Sequence, residues 1–309
     1  MAVAAHNESR FIAQTIQSIN DQLLSGGFSF EIAIVANGCT DNTAEVAQST
    51  IEELEPRNEV KFTVHELSEA SKPGAINHAL QMFDTDLFIY TDGDCTFSAN
   101  AFDSVASILQ ARRSVATGPT PKLVIPPDIR GSYIGNLHRA WQLYESASGM
   151  VRTPIGRMLG FRPVDLGRPI PSNIIAEDRF ITLSLTQRFG YEATSIAGDS
   201  KVYGIAPRSV DDLITQMARY AAGAEQLRQS YPALYNIGRV AAEEKRNQMI
   251  SKSEATGIVR EQLQYEGIDP SSIDDHHALF SLSRLLGRKM LSEIERNGTW
   301  EPIDSTKWL

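Results

Sequence analysis

Hydrophobic residues in the first 120 positions follow two alternating periods. Short apolar runs predict strands at residues 2–5, 30–36, 60–67 and 87–91. The stretches between them repeat apolar side chains at the spacing of a helix face, which predicts helices at residues 10–23, 41–54, 73–83 and 100–112. Ser9 is the predicted N-cap of the first helix, and Thr40 or Asp41 that of the second. Strands that alternate with helices in this way predict an α/β sheet with crossover connections.

The pattern becomes irregular after Val115. Four prolines between positions 119 and 127 predict irregular or extended chain. The following pattern predicts helices at residues 130–146 and 177–188, a loop rich in Gly, Pro and Arg at 156–171, and short strands at 193–196 and 202–205. Beyond residue 211 the pattern is mostly helical. We therefore predict one domain over residues 1–230, with halves at 1–120 and 121–230, and a helical C-terminal extension over residues 231–309.

Composition narrows the class of protein. The chain has 309 residues, of which 42% are hydrophobic and 22% charged, values that argue against a disordered chain or a membrane bundle. Its net charge of −9 opposes general binding to nucleic acid. Two cysteines, Cys39 and Cys95, are too few for a disulfide framework. No apolar run reaches the roughly 18 residues of a spanning helix, and the start lacks the features of a signal peptide. We expect a soluble, cytoplasmic protein.

Polar side chains follow the carboxyl ends of three predicted strands, which is where ligands bind in open α/β sheets. They are His6, Asn7 and Glu8 after the first strand, Asn37 after the second, and Asp92 and Asp94 after the fourth. The Asn37 amide has the donor and acceptor that reading a base edge requires. The two aspartates, separated by one glycine, can hold a divalent cation through hard oxygen ligands. An Asp-rich turn before the next helix is the structural alternative.

Two further clusters lie downstream. Glu177 and Asp178 open a predicted helix, where they either face a cleft or complement the helix dipole. Gln216, Arg219 and Tyr220 share one helix face. This face is suited to clamping a diphosphate and stacking on a sugar or base, although an ordinary amphipathic helix explains the same spacing.

Six short segments, taken in order, carry a resemblance to a known family. They are AHNES at residues 5–9, VANGCTDNT at 35–43, SKPGAINHAL at 71–80, YTDGDC at 90–95, IIAEDRFI at 174–181 and QMARYAAG at 216–223. With these segments the chain resembles family 2 glycosyltransferases over about residues 1–225. The resemblance implies the GT-A fold, a mixed, mostly parallel sheet flanked by helices. It also implies that residues 1–120 bind the sugar nucleotide and residues 121–230 the acceptor.

The resemblance further implies a role for each matching residue. Asp92 and Asp94 would hold Mg²⁺ or Mn²⁺, and Asp178, beside Glu177, would be the catalytic base. The remaining matches would bind the donor: His6, Asn7, Glu8, Asn37, Lys72, Gln216, Arg219 and Tyr220.

The implied reaction is an inverting sugar transfer from a nucleotide-diphosphate sugar, with a UDP-sugar favoured, to a hydroxyl of a glycan, glycolipid or small molecule. Such chemistry belongs to polysaccharide or glycoconjugate biosynthesis. A homodimer and peripheral association with the inner membrane face stay open. Two alternatives are a noncatalytic sugar-nucleotide-binding protein and, ranked lower, a sugar-1-phosphate nucleotidyltransferase. The latter would be expected to have a Gly-rich phosphate loop where AAHNES stands.

Two basic features remain. Four arginines precede the Glu177–Asp178 pair and form either a mobile flap over an anionic ligand or a solvated basic loop. They are Arg152, Arg157, Arg162 and Arg168. The adjacent His276 and His277 fit a metal cluster less well than a surface pair at the start of a helix.

Overall fold

The computed structural model describes residues 1–24, 27–55, 57–148, 156–246 and 250–297. The chain forms two compact units. The first comprises Met1–Lys122 and Thr153–Gly204, and the second comprises Leu123–Arg152 and Ile205–Leu309. The domain boundaries drawn from the sequence stay a prediction.

One sheet of eight strands dominates the first unit, and only the last residues of β6 and β8 belong to the second. Its strands are β1 (Ala2–Ala5), β2 (Phe30–Asn37), β3 (Val60–Leu67), β4 (Phe88–Asp92), β5 (Cys95–Phe97), β6 (Ala116–Val124), β7 (Met158–Phe161) and β8 (Thr194–Ile205). Their order across the sheet is β3-β2-β1-β4-β7-β6-β8-β5. The pairs β1–β2, β2–β3 and β1–β4 are parallel, whereas β4–β7, β6–β7 and β5–β8 are antiparallel.

The first strand marks the point where the order of the parallel strands reverses. The chain moves outward from β1 through β2 to β3 and then returns to place β4 on the other side of β1. All four residues of β1 are buried, as expected for a central strand covered on both faces. Such a switch point leaves a crevice beyond the carboxyl ends of the strands, the usual ligand position in open α/β sheets.

Eleven α-helices are assigned in the described residues: α1 (Ile12–Asn20), α2 (Thr43–Glu53), α3 (Lys72–Met82), α4 (Ala101–Gln110), α5 (Tyr133–Ala147), α6 (Pro163–Leu166), α7 (Glu177–Phe189), α8 (Val210–Ser230), α9 (Pro232–Arg246), α10 (Lys252–Tyr265) and α11 (Ser272–Asn297). The first helix buries Ile12, Ile16 and Ile19 against the sheet, at the spacing of one helical face. None of the helices so described combines the length and apolarity needed to cross a bilayer.

The structure corrects several boundaries and caps predicted from the sequence. Ser9 does not cap α1, because the N-cap is Phe11 and the Ser9 N–H donates to Asp41. The N-cap of α2 is Asn42 rather than Thr40 or Asp41. The Asp41 carboxylate accepts from the Ser9 and Thr43 N–H groups, and the Thr40 N–H donates to Asn7. These polar residues therefore connect the loops after β1 and β2.

The irregular half contains more sheet than its sequence predicts. The proline-rich segment is extended as expected, but most of it is strand β6. The predicted loop at residues 156–171 contains β7 and α6, and the two short strands predicted between residues 193 and 205 are one strand, β8. Strand β7 is buried at every position and so lacks the alternating pattern of a half-exposed sheet, whereas β8 alternates between buried and more exposed residues from Ser200 to Ile205.

The second unit is largely helical. A small core joins α5, α10 and the start of α11 through Ala140, Tyr144, Val259, Leu263 and Ile273. The guanidinium of Arg139 on α5 donates two hydrogen bonds, of 2.8 and 2.6 Å, to the carboxylate of Glu266 just after α10. The helical C-terminal region predicted from the sequence is confirmed over its described residues.

His276 is a core residue and not half of a surface pair. Its side chain is 4% exposed, and its ring stacks on Trp141 with centroids 4.3 Å apart and planes within 7°. Within the described part of the chain its Nδ1 has no hydrogen-bond partner. Burial, followed by the nearby His138 and His277, lowers the pKa of His276 from 6.5 to about 4. A neutral, stacked ring explains this position better than a metal ligand.

The buried histidine should make stability depend on pH. The unfolded chain binds a proton near pH 6.5 that the folded chain takes up only near pH 4, so stability rises with pH across this window and is lost as the pH falls through it. His276→Phe keeps the stacking but removes the proton site. We expect the native protein to lose about 2 kcal/mol more stability than this variant between about pH 7.5 and about pH 5, measured by urea unfolding. Equal losses in the two proteins would contradict the buried, neutral state of His276.

Candidate active site

The Asp92–Gly93–Asp94 turn is locked against the first strand. The Gly93 N–H donates to the Ala4 carbonyl (3.0 Å), and its carbonyl accepts from the Thr15 hydroxyl (2.8 Å). A Cβ at position 93 would lie 3.0 Å from the Ala5 Cβ. Glycine therefore allows the end of β4 to pack closely on β1, so the turn projects its two aspartates from a fixed base.

Asp92, Asp94 and Cys95 form a group whose potential ligand atoms all lie within 4.8 Å of one another. The Cys95 side chain is fully buried. Burial, then the negative charges of Asp94 and Asp92, raises the pKa of the Cys95 thiol well above its usual value. A neutral thiol is a poor metal ligand, so the two carboxylates are the useful donors. Such hard oxygen donors fit Mg²⁺ or Mn²⁺.

Lys72 connects this turn to the start of α7. Lys72 is the first residue of α3, and Ser71 is the N-cap of this helix. The Ser71 hydroxyl accepts from the Gly74 N–H (3.0 Å). The Lys72 Nζ lies 2.5 Å from Asp92 Oδ1 and 2.7 Å from Glu177 Oε1. It also donates to the Gly156 carbonyl at 3.1 Å.

The charged groups around Lys72 and Glu177 change the pKa values of both side chains. Burial lowers the pKa of Lys72, but attraction to Asp92 and Glu177 outweighs that effect and holds the pKa above its usual value. Burial raises the pKa of Glu177; Lys72 opposes the shift and Asp178 adds to it, so that the pKa stays above its usual value. The ammonium therefore stays charged while carboxyl groups crowd around it.

The Gly156 peptide holds the other member of the acidic pair. Its N–H donates to Asp178 Oδ2 (2.9 Å), and its carbonyl accepts from Lys72. A Cβ at position 156 would lie 3.0 Å from Glu177 Oε1 and 3.1 Å from Lys72 Nζ. Only a residue without a side chain fits here without displacing these groups. No local pattern marks Gly156 in the sequence, because its role depends on a fold that brings distant residues together.

The polar residues after β1 and β2 form a second group in the first unit. Asn7 adopts a left-handed backbone conformation (φ 53°), and its Oδ1 accepts from the Thr40 N–H at 2.8 Å. His6 Nδ1 lies 2.7 Å from the Asn37 carbonyl, and Glu8 is 4% exposed. The switch point of the sheet thus brings together the loops that follow two neighbouring strands.

Asn37 has a structural role that its sequence context did not suggest. Its side chain is 3% exposed, and its amide N–H groups donate to the carbonyls of Ala5 (2.8 Å) and Val35 (3.3 Å). Its Oδ1 accepts from the Ser71 N–H at 3.0 Å. Both ends of the amide are therefore engaged by backbone, which corrects the expectation that it reads a base edge. Asn37 instead ties β1 and β2 to the start of α3.

The helix-face triad lies on α8 of the second unit. Gln216 and Arg219 are partly buried, whereas Tyr220 is 54% exposed. The Arg219 guanidinium lies over the Tyr220 ring, 5.7 Å from its centroid. Arg219 and Tyr220 therefore contact each other, and the helix face that they are predicted to share with Gln216 stays a prediction.

The arginines that precede the acidic pair differ in exposure: Arg157 and Arg162 are partly buried, whereas Arg168 is exposed. Arg162 is 13% exposed, pairs with Asp165 and donates to the Leu109 carbonyl at 3.0 Å. Arg168 lies over the Phe180 ring. The Arg157 carbonyl accepts from the Thr91 hydroxyl. The Arg162 side chain therefore contributes to packing and does not act as a solvated charge, and Arg152 lies outside the described residues.

Tyr90 is a further group that the sequence did not single out. Its side chain is fully buried on β4, and Lys72 Nζ lies 5.5 Å from its ring centroid. Within the described residues its hydroxyl has no hydrogen-bond partner. Burial, followed by the charges of Glu177, Asp178 and Asp92, raises its pKa well above the usual value. A neutral phenol therefore lies close to the acidic cluster.

The close approach at Gly156 yields a stability prediction. Gly156→Ala must push Glu177 and Lys72 aside, so we expect a loss of about 1–2 kcal/mol and a lower melting temperature. Gly198→Ala is the matched control, because a Cβ there would meet no atom within 4 Å. If the two variants melted at the same temperature, the tight packing around Gly156 would be refuted.

Comparisons with known proteins give a family match for part of the chain and a similar fold. Residues 1–140 match the model of glycosyl transferase family 2. The mannosyltransferase PcManGT from Pyrobaculum calidifontis, solved in complex with GDP-Man and Mn²⁺, has a similar fold with a TM-score of 0.55 at 15% identity, covering 92% of this chain and 86% of that chain.

A second solved structure is TarS 1–349 from S. aureus, in complex with UDP-GlcNAc. It aligns with a TM-score of 0.43 at 14% identity, covering 98% of this chain and 94% of that chain. No curated protein sequence matches the chain.

The mixed sheet, its flanking helices and the helical C-terminal region confirm the fold expected from the sequence. The family match likewise confirms the resemblance over residues 1–140, which contain four of its six segments; the segments at residues 174–181 and 216–223 lie outside the match. The chain therefore has the GT-A fold, and its residues 1–140 match the model of glycosyl transferase family 2.

Proposed function

We propose that the protein is a metal-dependent, inverting glycosyltransferase that moves a sugar from a nucleotide-diphosphate sugar to an acceptor hydroxyl. One observation carries the proposal. Residues from three distant segments, Lys72, Asp92 and Glu177, meet in a single ion cluster of the first unit, with Asp94 two residues after Asp92 and Asp178 next to Glu177 in sequence. A fold alone does not require so many charged groups in one place, because clustered carboxylates destabilise a protein unless they perform chemistry or bind a cation.

Asp92 and Asp94 would hold the divalent cation, Mg²⁺ or Mn²⁺. When bound, the cation offsets the negative charge that develops on the departing nucleoside diphosphate. The rigid seat of the turn on β1 presents the two carboxylates without further rearrangement of the backbone. PcManGT, which shares the fold, was solved with GDP-Man and Mn²⁺, the same classes of ligand.

Asp178 would act as the general base. Its Oδ2 accepts from the Gly156 N–H, which fixes the orientation of the carboxylate while leaving lone pairs for another donor. It takes the proton of the acceptor hydroxyl as that oxygen attacks the anomeric carbon. Attack from the face opposite to the departing diphosphate makes a single displacement, so the anomeric configuration inverts. Glu177 positions Lys72 beside this base. Glu177 itself transfers no proton in the proposed reaction.

The other parts of the proposal are the donor-binding residues, the donor and acceptor, and the location in the cell. His6, Asn7 and Glu8 would line the donor base and ribose, and Lys72 its phosphates. Gln216, Arg219 and Tyr220 would contribute the diphosphate clamp and the stacking surface. A UDP-sugar is the favoured donor, and the acceptor hydroxyl belongs to a glycan, a glycolipid or a small molecule. The proposed setting is the cytoplasm, with membrane-surface association and a homodimer still to be tested.

Nucleotide binding gives the first test. Melting temperatures are measured with UDP, GDP, TDP and CMP, each with and without Mn²⁺, for the native protein, Asp94→Asn and the control Asp86→Asn, whose side chain is exposed. We expect one nucleotide to stabilise the native protein and the control only when Mn²⁺ is present, by about 2.7 kcal/mol at a hundredfold excess over Kd. Asp94→Asn should show no such gain.

If none of the nucleotides changes the melting temperature, the sugar-nucleotide assignment fails. If Asp94→Asn responds like the native protein, the metal assignment fails.

Removal of the base gives the second test. Asp178→Asn keeps the hydrogen bond from Gly156 but cannot accept a proton, so we expect turnover to fall by about 10²–10⁴-fold while the nucleotide still stabilises the protein. Asp86→Asn should retain full turnover. Turnover is measured as release of the nucleoside diphosphate with the donor sugar that the nucleotide screen identifies. Unchanged turnover in Asp178→Asn would contradict its role, and binding without turnover in the native protein would favour a noncatalytic sugar-nucleotide-binding protein.

A further inference from the structure

The ammonium group of Lys72 has a complete set of partners. Its three N–H groups have three oxygen acceptors within hydrogen-bonding distance, on Asp92 (2.5 Å), Glu177 (2.7 Å) and Gly156 (3.1 Å). The side chain is 26% exposed, and the Tyr90 ring lies beneath Nζ. Lys72 is thus held in place by the same carboxylate that is expected to bind a metal ion.

The ammonium and a divalent cation cannot use Asp92 in the same way at the same time. A small divalent cation binds a carboxylate oxygen at about 2.1 Å, which would bring it within about 5 Å of the Lys72 Nζ if it used Oδ1. Two positive charges at that separation repel each other strongly where burial limits screening by water. Glu177 and Gly156 would still hold the ammonium from the other side.

We propose that Lys72 acts as an internal counter-ion that competes with the divalent cation for Asp92, so that the metal binds tightly only together with a nucleoside diphosphate. The diphosphate supplies further oxygen ligands to the metal and an anionic partner for the displaced ammonium. Metal and donor then bind as one unit, and free metal ions leave the site unchanged. This inference rests on the metal site of the proposed function.

Direct competition differs from a general effect of charge, and the chain offers variants that separate the two. Lys72→Met removes the competitor and one positive charge. The double variant Lys72→Met/Glu177→Gln removes the competitor together with one of its carboxylate partners, so the formal charge of the cluster is the same as in the native protein. The double variant also leaves no unpaired Glu177 carboxylate, which protects it against the unfolding that the single variant risks.

The test is a titration with Mn²⁺ alone, followed by electron paramagnetic resonance of the free ion. We expect both Lys72 variants to bind Mn²⁺ at least about tenfold more tightly than the native protein, because each frees the Asp92 carboxylate. Lys61→Met, which removes an exposed lysine of the same unit, should bind like the native protein. With a saturating nucleoside diphosphate, the advantage of the double variant should disappear. Circular dichroism confirms that each variant is folded.

Two results would overturn the inference while leaving the metal site intact. One is a double variant that binds Mn²⁺ no more tightly than the native protein. The other is a native protein that binds Mn²⁺ equally well with and without nucleotide. If no folded form bound Mn²⁺, even with nucleotide, the metal site of the proposed function would itself be wrong.

Discussion

The ammonium group of Lys72 joins three parts of the first unit that lie far apart in the sequence. It contacts the end of β4 through Asp92, the first turn of α7 through Glu177 and the segment before β7 through the Gly156 carbonyl. Without the Lys72 ammonium, several carboxyl groups would repel one another near the carboxyl end of β4. Its position follows from the backbone, since the Ser71 cap and the Asn37 amide both fix the start of α3. The arrangement of the site therefore depends on one ion cluster and on the strand ends that support it.

The sequence predicted the parts of the molecule that depend on local patterns. Strands β1, β2 and β4 are mostly apolar and β3 alternates apolar and polar residues from Val60 to His65, while Asp92 and Asp94 lie at the end of β4. The acidic pair Glu177 and Asp178 begins α7, where the helix dipole favours negative charge. Local order thus predicts which residues lie at the carboxyl ends of strands. It does not predict which of them touch, and the contact between Lys72 and both acidic segments is visible only in the folded chain.

The predictions that fail, for Asn37, His276 and strand β7, fail for one physical reason. Asn37 has the chemistry to read a base, but its amide is saturated by the backbone of β1, β2 and α3. His276 follows two aspartates and precedes a second histidine, a surface-like context, yet a packed helix pair buries it against Trp141. Strand β7 is too short and too uniformly buried to show a period. In each case tertiary packing, which the local pattern does not encode, decides the role of the residue.

We propose that the metal and the donor diphosphate bind together at the Lys72–Asp92–Glu177 cluster of the first unit. Crystals grown with Mn²⁺ and the nucleoside diphosphate that stabilises the protein test it directly through the anomalous scattering of manganese. We predict a single strong peak about 2.1 Å from carboxylate oxygens of Asp92 and Asp94, with the Lys72 Nζ moved from Asp92 towards a phosphate oxygen. A manganese peak away from both aspartates, or a bound nucleotide with the Lys72–Asp92 pair intact, would contradict the account.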